Sequence, residues 1–330
     1  MDRILMAHGG GGRLMHELIE RLFKTAFGMG ELNDSAILNF PGNRLALTTD
    51  SFVVSPLFFP GGNIGTLAIN GTVNDIAVSG AVPLYLTAGF IIEEGFPVSE
   101  LSLIVESMAK AAKEAGVRVV TGDTKVVNKG RGDGVFINTA GVGLLEDGVN
   151  ISPLLIKDGD VVLVNGDIGS HGTCIMAARN GLTFAEPLLS DCRPLNGLTQ
   201  LMIKSAAVRF MRDSTRGGVA ATLKEAAVAS SKCIKIKESA IPVSSQVRGA
   251  CELLGLDPMY IANEGVLTAI ADKADAEALI DRMRSHMYGV NAAVIGEVIS
   301  GPPGLVTVET SIGGTRILDM PLYEQLPRIC

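Results

Sequence analysis

The chain has 330 residues, with Lys+Arg 28 against Asp+Glu 35 and a formal net charge of -7, so it is an acidic protein long enough for two domains of ordinary size. Nothing in this balance supplies the basic stripe that tracks a phosphate backbone, which argues against nucleic acid as a partner. Hydrophobic residues reach 47% and the mean hydropathy is +0.34, yet Thr66–Ile92 is broken by Asn70, Asn74, Asp75 and Pro83, well short of the uncharged span of about 18 residues that a membrane helix needs.

The segment from Met1 to His8 runs into Gly9-Gly10-Gly11-Gly12 without a signal-peptide core, and the expected location is cytoplasmic. Arg13–Phe27 reads as an amphipathic helix with Leu14, Leu18, Leu22, Ile19 and Phe23 on one broad face, closed by Gly28. Strand-like runs follow at Arg44–Thr49 and Pro83–Ile92. Ser99 is the expected cap of a helix that runs to Gly116, after which Val117–Thr121 and Val135–Val142 return to strand composition. This alternation makes an α/β unit of about 150 residues, the size of one domain.

A second unit starts near Lys157-Asp158-Gly159-Asp160 with the run Val161–Val164. Its expected helices are Leu198–Phe210, Val219–Ser230 and Ala274–Met287, its strands Tyr260–Ala262, Val266–Ala271 and Ala293–Val298, and a last hairpin joins Leu305–Glu309 to Arg316–Leu318. Lys232, Lys235 and Lys237 alternate as on a solvated strand edge. From Asp319 onward the tail carries two prolines and reads as extended. The division is therefore 1–155, 156–318 and a flexible tail at 319–330.

The five cysteines (Cys174, Cys192, Cys233, Cys251, Cys330) form no CxxC pair and have no His at zinc-finger spacing, so neither a disulfide framework nor a structural zinc is indicated. No Walker A motif is present, and the glycine run is not a dinucleotide fingerprint. Acids carry the pattern instead. Asp50 ends the run Leu45-Ala46-Leu47-Thr48-Thr49, and Asp123 follows Val119-Val120-Thr121-Gly122 in the same way. Carboxylates at the ends of buried strands can converge on one crevice. Asp34 and Asp75 add two more among small residues. Mg²⁺ is held by one or two carboxylates plus waters and substrate phosphates, so this set suits a metal-nucleotide site without a P-loop. Each Asp taken alone is more often a turn or helix cap, and only the set favours the site.

Asp213-Ser214-Thr215-Arg216-Gly217-Gly218 precedes the Val219–Ser230 helix and offers an anion free N–H groups and an Arg, or is a simple capped start. Glu264 stands between two apolar runs, either as a turn residue facing water or as a carboxylate tuned by burial for proton transfer. Lys125, two residues after Asp123, faces the same crevice by strand alternation or is solvated; His171 and His8 are weaker candidates.

His8–Glu17, Thr48-Thr49-Asp50-Ser51-Phe52, Asn74-Asp75-Ile76-Ala77, Gly122-Asp123-Thr124-Lys125-Val126-Val127, Asp213-Ser214-Thr215-Arg216-Gly217-Gly218 and the terminal Pro327-Arg328-Ile329-Cys330 resemble the HypE family of hydrogenase maturation proteins along the whole chain. That family sits in the wider group of aminoimidazole ribonucleotide synthetase, selenophosphate synthetase and thiamine monophosphate kinase. The internal acidic motifs are shared loosely across the group, whereas the terminal Pro-Arg-Ile-Cys is specific to the family.

The resemblance implies an α/β (α+β), two-domain PurM-like architecture with the N-terminal sheets pairing in a homodimer. It implies ATP with Mg²⁺ as cofactors. Asp50, Asn74, Asp75, Asp123, Thr124, Asp213, Arg216, Gly217 and Gly218 are the expected nucleotide-binding residues, and Asp34, Asp50, Asp75 and Asp123 the metal set. Cys330 would receive a carbamoyl group from a HypF-like carbamoyltransferase and be dehydrated to a thiocyanate, with the cyanide passing to iron on a HypC–HypD complex. Glu264 is the expected base, with Lys125 as electrostatic partner or proton relay and His171 as a further catalytic candidate. The other readings are a related ATP-using small-molecule enzyme and a non-catalytic docking adaptor. A tail of about 11 residues reaches at most roughly 36 Å, enough for a carrier arm.

Overall fold

The computed structural model describes residues 12–18, 20, 35–40, 43–182, 184, 186–321, 326 and 328–330. Asp34, His8 and most of the helix expected at Arg13–Phe27 lie outside them; the described part is a helix over Arg13–Leu18.

Among the described residues the first unit has strands β1 (Ala36–Phe40), β2 (Asn43–Phe52), β3 (Phe58–Phe59), β4 (Gly62–Asn63), β5 (Val82–Glu93), β6 (Arg118–Val127) and β7 (Val135–Leu145). Its main sheet runs β1-β2-β7-β5-β6, antiparallel except for the β5–β6 pair. One face carries the helices Ile64–Val78 and Val98–Ala115. β7 alternates buried and more open positions along its length, as a strand covered on one face must.

The Ile64–Val78 helix is almost wholly buried, because it lies between this sheet and elements of the second unit. Its apolar residues therefore surround it, which is why the sequence shows an apolar stretch there without an amphipathic period. Asn63 caps it, its Oδ1 accepting from Gly65 N at 2.8 Å and Thr66 N at 3.2 Å. The Val98–Ala115 helix is amphipathic and stops at Gly116 with φ 72. Pro97, not the expected Ser99, holds its cap position, and Pro97 makes no side-chain cap bond.

The second unit has strands β8 (Val161–Val164), β9 (Val208–Asp213), β10 (Cys233–Lys237), β11 (Leu267–Ala271), β12 (Ala293–Ile299), β13 (Val306–Glu309) and β14 (Thr315–Leu318), in sheet order β14-β13-β10-β12-β8-β11-β9. β8 and β11 are buried at every position: Val162, Val164 and Ile270 pack on one side, Val161, Leu163, Ala269 and Ala271 on the other.

The expected Leu198–Phe210 helix is in fact a helix over Asn196–Ser205 followed by β9, which pairs with β11; tertiary pairing overrides the helical period there. The expected strand at Tyr260–Ala262 is a 3₁₀ turn, Pro258–Tyr260, held by Asp257. Helices at Ser170–Asn180 and Ser245–Leu254 carry short runs that the sequence pattern did not reveal. β10 is an interior strand rather than an edge, with Lys235 paired to Glu309 at 2.7 Å.

Candidate active site

Glu264 sits in the Asn263–Gly265 loop entering β11, 3% exposed. Glu264 N and Gly265 N both donate to Asp191 Oδ2, at 3.1 and 2.8 Å, and Asn74 Nδ2 donates to the Glu264 carbonyl at 3.1 Å. Burial pushes the Glu264 carboxyl well above its ordinary range, the nearby Asp50, Asp213 and Asp191 push it the same way, and Arg216 opposes them. Its Oε1 has no hydrogen-bond partner among the described residues. Of the two sequence readings the buried one holds: the carboxyl is removed from water, which disfavours its charged form.

Asp50 lies on the helix-covered face of β2, its carboxylate beside Gly71. Burial raises its carboxyl, while Arg216 and a bond from Ser51 N at 2.8 Å lower it. On the same face Thr48 Oγ1 donates to Asp75 Oδ2 at 2.7 Å. Asp213 is buried at the end of β9, and Gly217 and Gly218 take φ 77 and 61 at the start of the Gly218–Ser230 helix. A Cβ on Gly218 would meet Ile261 O and Met259 O at 2.6 Å each, so only glycine lets this helix start lie against the Pro258–Tyr260 turn. Asp50, Asp213, Arg216 and Glu264 thus share one crevice between the two sheets' units.

Asn74 is a bracket. Both its amide hydrogens are engaged, by Arg193 O and Glu264 O at 3.1 Å each, and its Oδ1 accepts from Leu195 N at 2.7 Å; it holds the Asn263–Gly265 loop. Asp123, Thr124 and Lys125 are exposed on the edge strand β6. Lys125 Nζ meets Asp123 Oδ2 at 2.5 Å, which holds that carboxyl below its usual range. The register puts Asp123 in the row of Gly89, Asn138 and Ser51, on the face opposite Asp50 and about 14 Å away across three strand spacings. Within one chain these residues do not join Asp50.

The chain's last residues pair with 53–55: Val53 N donates to Cys330 O at 3.0 Å and Ser55 N to Arg328 O at 3.3 Å. Arg328 Nε donates to Val53 O at 3.0 Å, its guanidinium pairs with Asp133, and Arg179 Nη2 bonds Arg328 O. Leu326 and Ile329 are buried in a core cluster formed by residues of both units, together with Cys174 and Ile175. His171 is fully buried; burial lowers its pKa, so the ring is neutral. Its Nε2 lies 2.8 Å from Ile329 O and its Nδ1 2.8 Å from Ser190 Oγ, an arrangement in which Nε2–H donates to the tail and Nδ1 accepts from the serine. Cys330 is half-buried. Sequence reasoning missed Asp191, Arg179 and Ser190, which stand in segments without a recognisable motif.

Two family models match, "AIR synthase related protein, N-terminal domain" over residues 32–145 and "AIR synthase related protein, C-terminal domain" over 157–309. Fold and site thus define a two-domain protein of the AIR synthase-related, PurM-like class, of mixed α/β architecture. The carbamoyl dehydratase HypE of Azotobacter vinelandii is 51% identical over 329 residues, covering 98% of this chain and 96% of its own. A crystal structure of a HypE–HypF complex superposes with a TM-score of 0.88 at 51% identity, over 92% of this chain and 99% of that one. A structure of HypE in complex with ATP gives 0.84 at 46% identity, over 99% and 100%. The chain belongs to the HypE family of carbamoyl dehydratases of hydrogenase maturation.

Proposed function

We propose that this chain uses ATP to dehydrate an S-carbamoyl group on its own Cys330 to a protein thiocyanate, which supplies cyanide for the iron of a hydrogenase. The observation that carries this is a tail docked through His171 in a chain whose buried Glu264 feels the charges of Asp50, Asp213 and Arg216. The atoms balance as follows. The amide oxygen attacks the γ-phosphorus and ADP leaves; Glu264 takes one N–H proton. The C–O bond then breaks, the nitrogen closes the C≡N bond, and the departing phosphate carries off the oxygen and the second proton. Arg216 and the helix start at Gly217 and Gly218 offset charge at the phosphates. Asp50 and Asp75 flank Thr48 on one face, two carboxylates that fit Mg²⁺ shared with nucleotide phosphates. Bound there, the ion would neutralise phosphate charge.

Asp123 and Lys125 reach a nucleotide site when a second copy covers the open face of the first sheet, and Thr124 joins them from the edge strand. That face exposes Leu47 at 39%, Tyr85 at 44% and Ile91 at 48%, and the ten residues of β6 are almost wholly exposed, which supports a homodimer. A HypF-like carbamoyltransferase is the donor and a HypC–HypD complex the acceptor, in the cytoplasm; no helix among the described residues is long and apolar enough to cross a membrane. The chain is read as domains 1–155 and 156–318 with 319–330 as carrier arm. An identity of 51% over nearly the full length favours this reading over a small-molecule kinase or a docking adaptor. Intact-protein mass measurement tests it: a carbamoyl gained on Cys330, then one water lost on adding ATP, is expected, and neither change in Cys330→Ala. ATP hydrolysis without loss of water from the chain sinks it.

A further inference from the structure

We propose that Asn70 and Asp191 form the subsite that receives the N–H groups of the carbamoyl substrate, an inference that rests on the carrier role of Cys330. The two side chains line a cavity of about 580 Å³ together with Asn63, Ser190, Cys192 and Arg193. Asn70 is 2% exposed and Asp191 6%, yet Asn70 Oδ1 and Asp191 Oδ1 have no hydrogen-bond partner among the described residues. The large majority of buried polar atoms in folded proteins are satisfied, so two orphaned acceptors on residues that line one cavity point to a ligand's donors.

Both orphans are held as acceptors. Asn70 Nδ2 is directed at Cys192 Sγ, 3.6 Å away, which leaves the amide oxygen as the unpartnered end of the side chain. Asp191 Oδ2 is taken up by Glu264 N and Gly265 N, which leaves Oδ1 free. A ligand that satisfies them brings N–H donors, and a primary carboxamide brings two. The unpartnered Glu264 Oε1 belongs to the same loop that Asp191 grips through the N–H groups of Glu264 and Gly265, so the subsite and the base are held by one set of contacts. The tail is wired to the same place: Ile329 O meets His171, His171 meets Ser190 Oγ, and Ser190 Oγ accepts from Cys192 N at 3.1 Å.

Asp191→Asn separates this role from a structural one, because asparagine keeps an oxygen for the two backbone N–H groups and replaces the free acceptor by a donor. The full-length chain is loaded on Cys330 with a [15N]carbamoyl group, hydrogen exchange of its N–H protons is followed by NMR without ATP, and water loss is followed by mass after ATP is added. In the wild type the carbamoyl protons exchange slower than in a free S-alkyl thiocarbamate. In Asp191→Asn this protection and the rate of water loss both fall by roughly tenfold to a hundredfold, the effect of one lost bond to a buried polar group. Asn70→Leu behaves alike, while Asn70→Asp, which keeps an oxygen at the cavity, retains protection. Wild-type water loss with unprotected carbamoyl protons, or Asp191→Asn with wild-type protection and rate, overturns the subsite and leaves the dehydratase reading intact. A wild type that loses no water defeats that reading as well.

Discussion

His171→Leu tests whether the terminal segment is held by its neighbours or merely rests on them. The substitution removes the donor to Ile329 O and leaves that carbonyl buried beside Ile329, itself 2% exposed. A buried acceptor without its partner costs about 1–3 kcal/mol, which shifts the docking equilibrium by about 5- to 150-fold toward the released tail. Ile329→Ala should release it further, since removing a buried isoleucine side chain costs about 2–5 kcal/mol. Alkylation of Cys330 by iodoacetamide, resolved by peptide mass mapping, reads the released fraction, with Cys233, buried away from the tail, as internal control. The Cys330 rate should rise in His171→Leu and rise more in Ile329→Ala, with Cys233 unchanged. Equal Cys330 rates in wild type and His171→Leu would refute the wiring of the tail through this ring, and with it the idea that the docked tail is the reactive geometry.

Glu264→Gln should retain ATP binding, measured by calorimetry, and abolish water loss from carbamoylated Cys330; since burial raises the carboxyl well above its ordinary range, the wild-type rate should climb as pH rises through that value, and a flat profile would remove Glu264 as the base. His16 donates a second kind of test. Its hydrogen bond with Glu225, 2.6 Å long, raises the imidazole pKa, so its contribution to stability is complete below the unfolded value of about 6.5 and is lost as pH rises through the folded one. The melting-temperature gap between wild type and His16→Leu should therefore be widest below the unfolded value of about 6.5 and narrow as pH rises above it; a gap independent of pH counts against the ion pair. Gly218→Ala places a Cβ 2.6 Å from Ile261 O at φ 61 and should cost on the order of 1–3 kcal/mol in urea unfolding, with less than 0.5 kcal/mol, roughly the scale of a neutral surface change, contradicting the close approach.

Much of this protein was legible in its one-dimensional pattern. The Val219–Ser230 segment differs from the observed helix by one residue at its start, and Val161–Val164 coincides with β8, because a short run of branched apolar residues between turn signals has few ways to be satisfied. The terminal Pro-Arg-Ile-Cys named the family before any coordinate was needed. Segments whose environment is set from both sides were not legible. The Ile64–Val78 helix is buried all round and shows no amphipathic period, and Val208–Asp213 is a strand only because β11 lies beside it.

The chemistry divides the same way. Sequence singled out Glu264, Asp50, Asp213 and Arg216 one by one, as residue types suited to the reaction. Tertiary structure alone decided that Glu264 is buried, that Asn74 is a strut, that Asp123 and Lys125 sit on the opposite face of the sheet from Asp50, and that Asn70 and Asp191, unmarked by any motif, carry the orphaned oxygens. The physical reason is that composition and spacing determine which groups a chain possesses and which face of an element they share, whereas desolvation and hydrogen-bond satisfaction depend on partners far apart in the chain: Asn74 and Glu264, joined by one bond, are 190 residues apart.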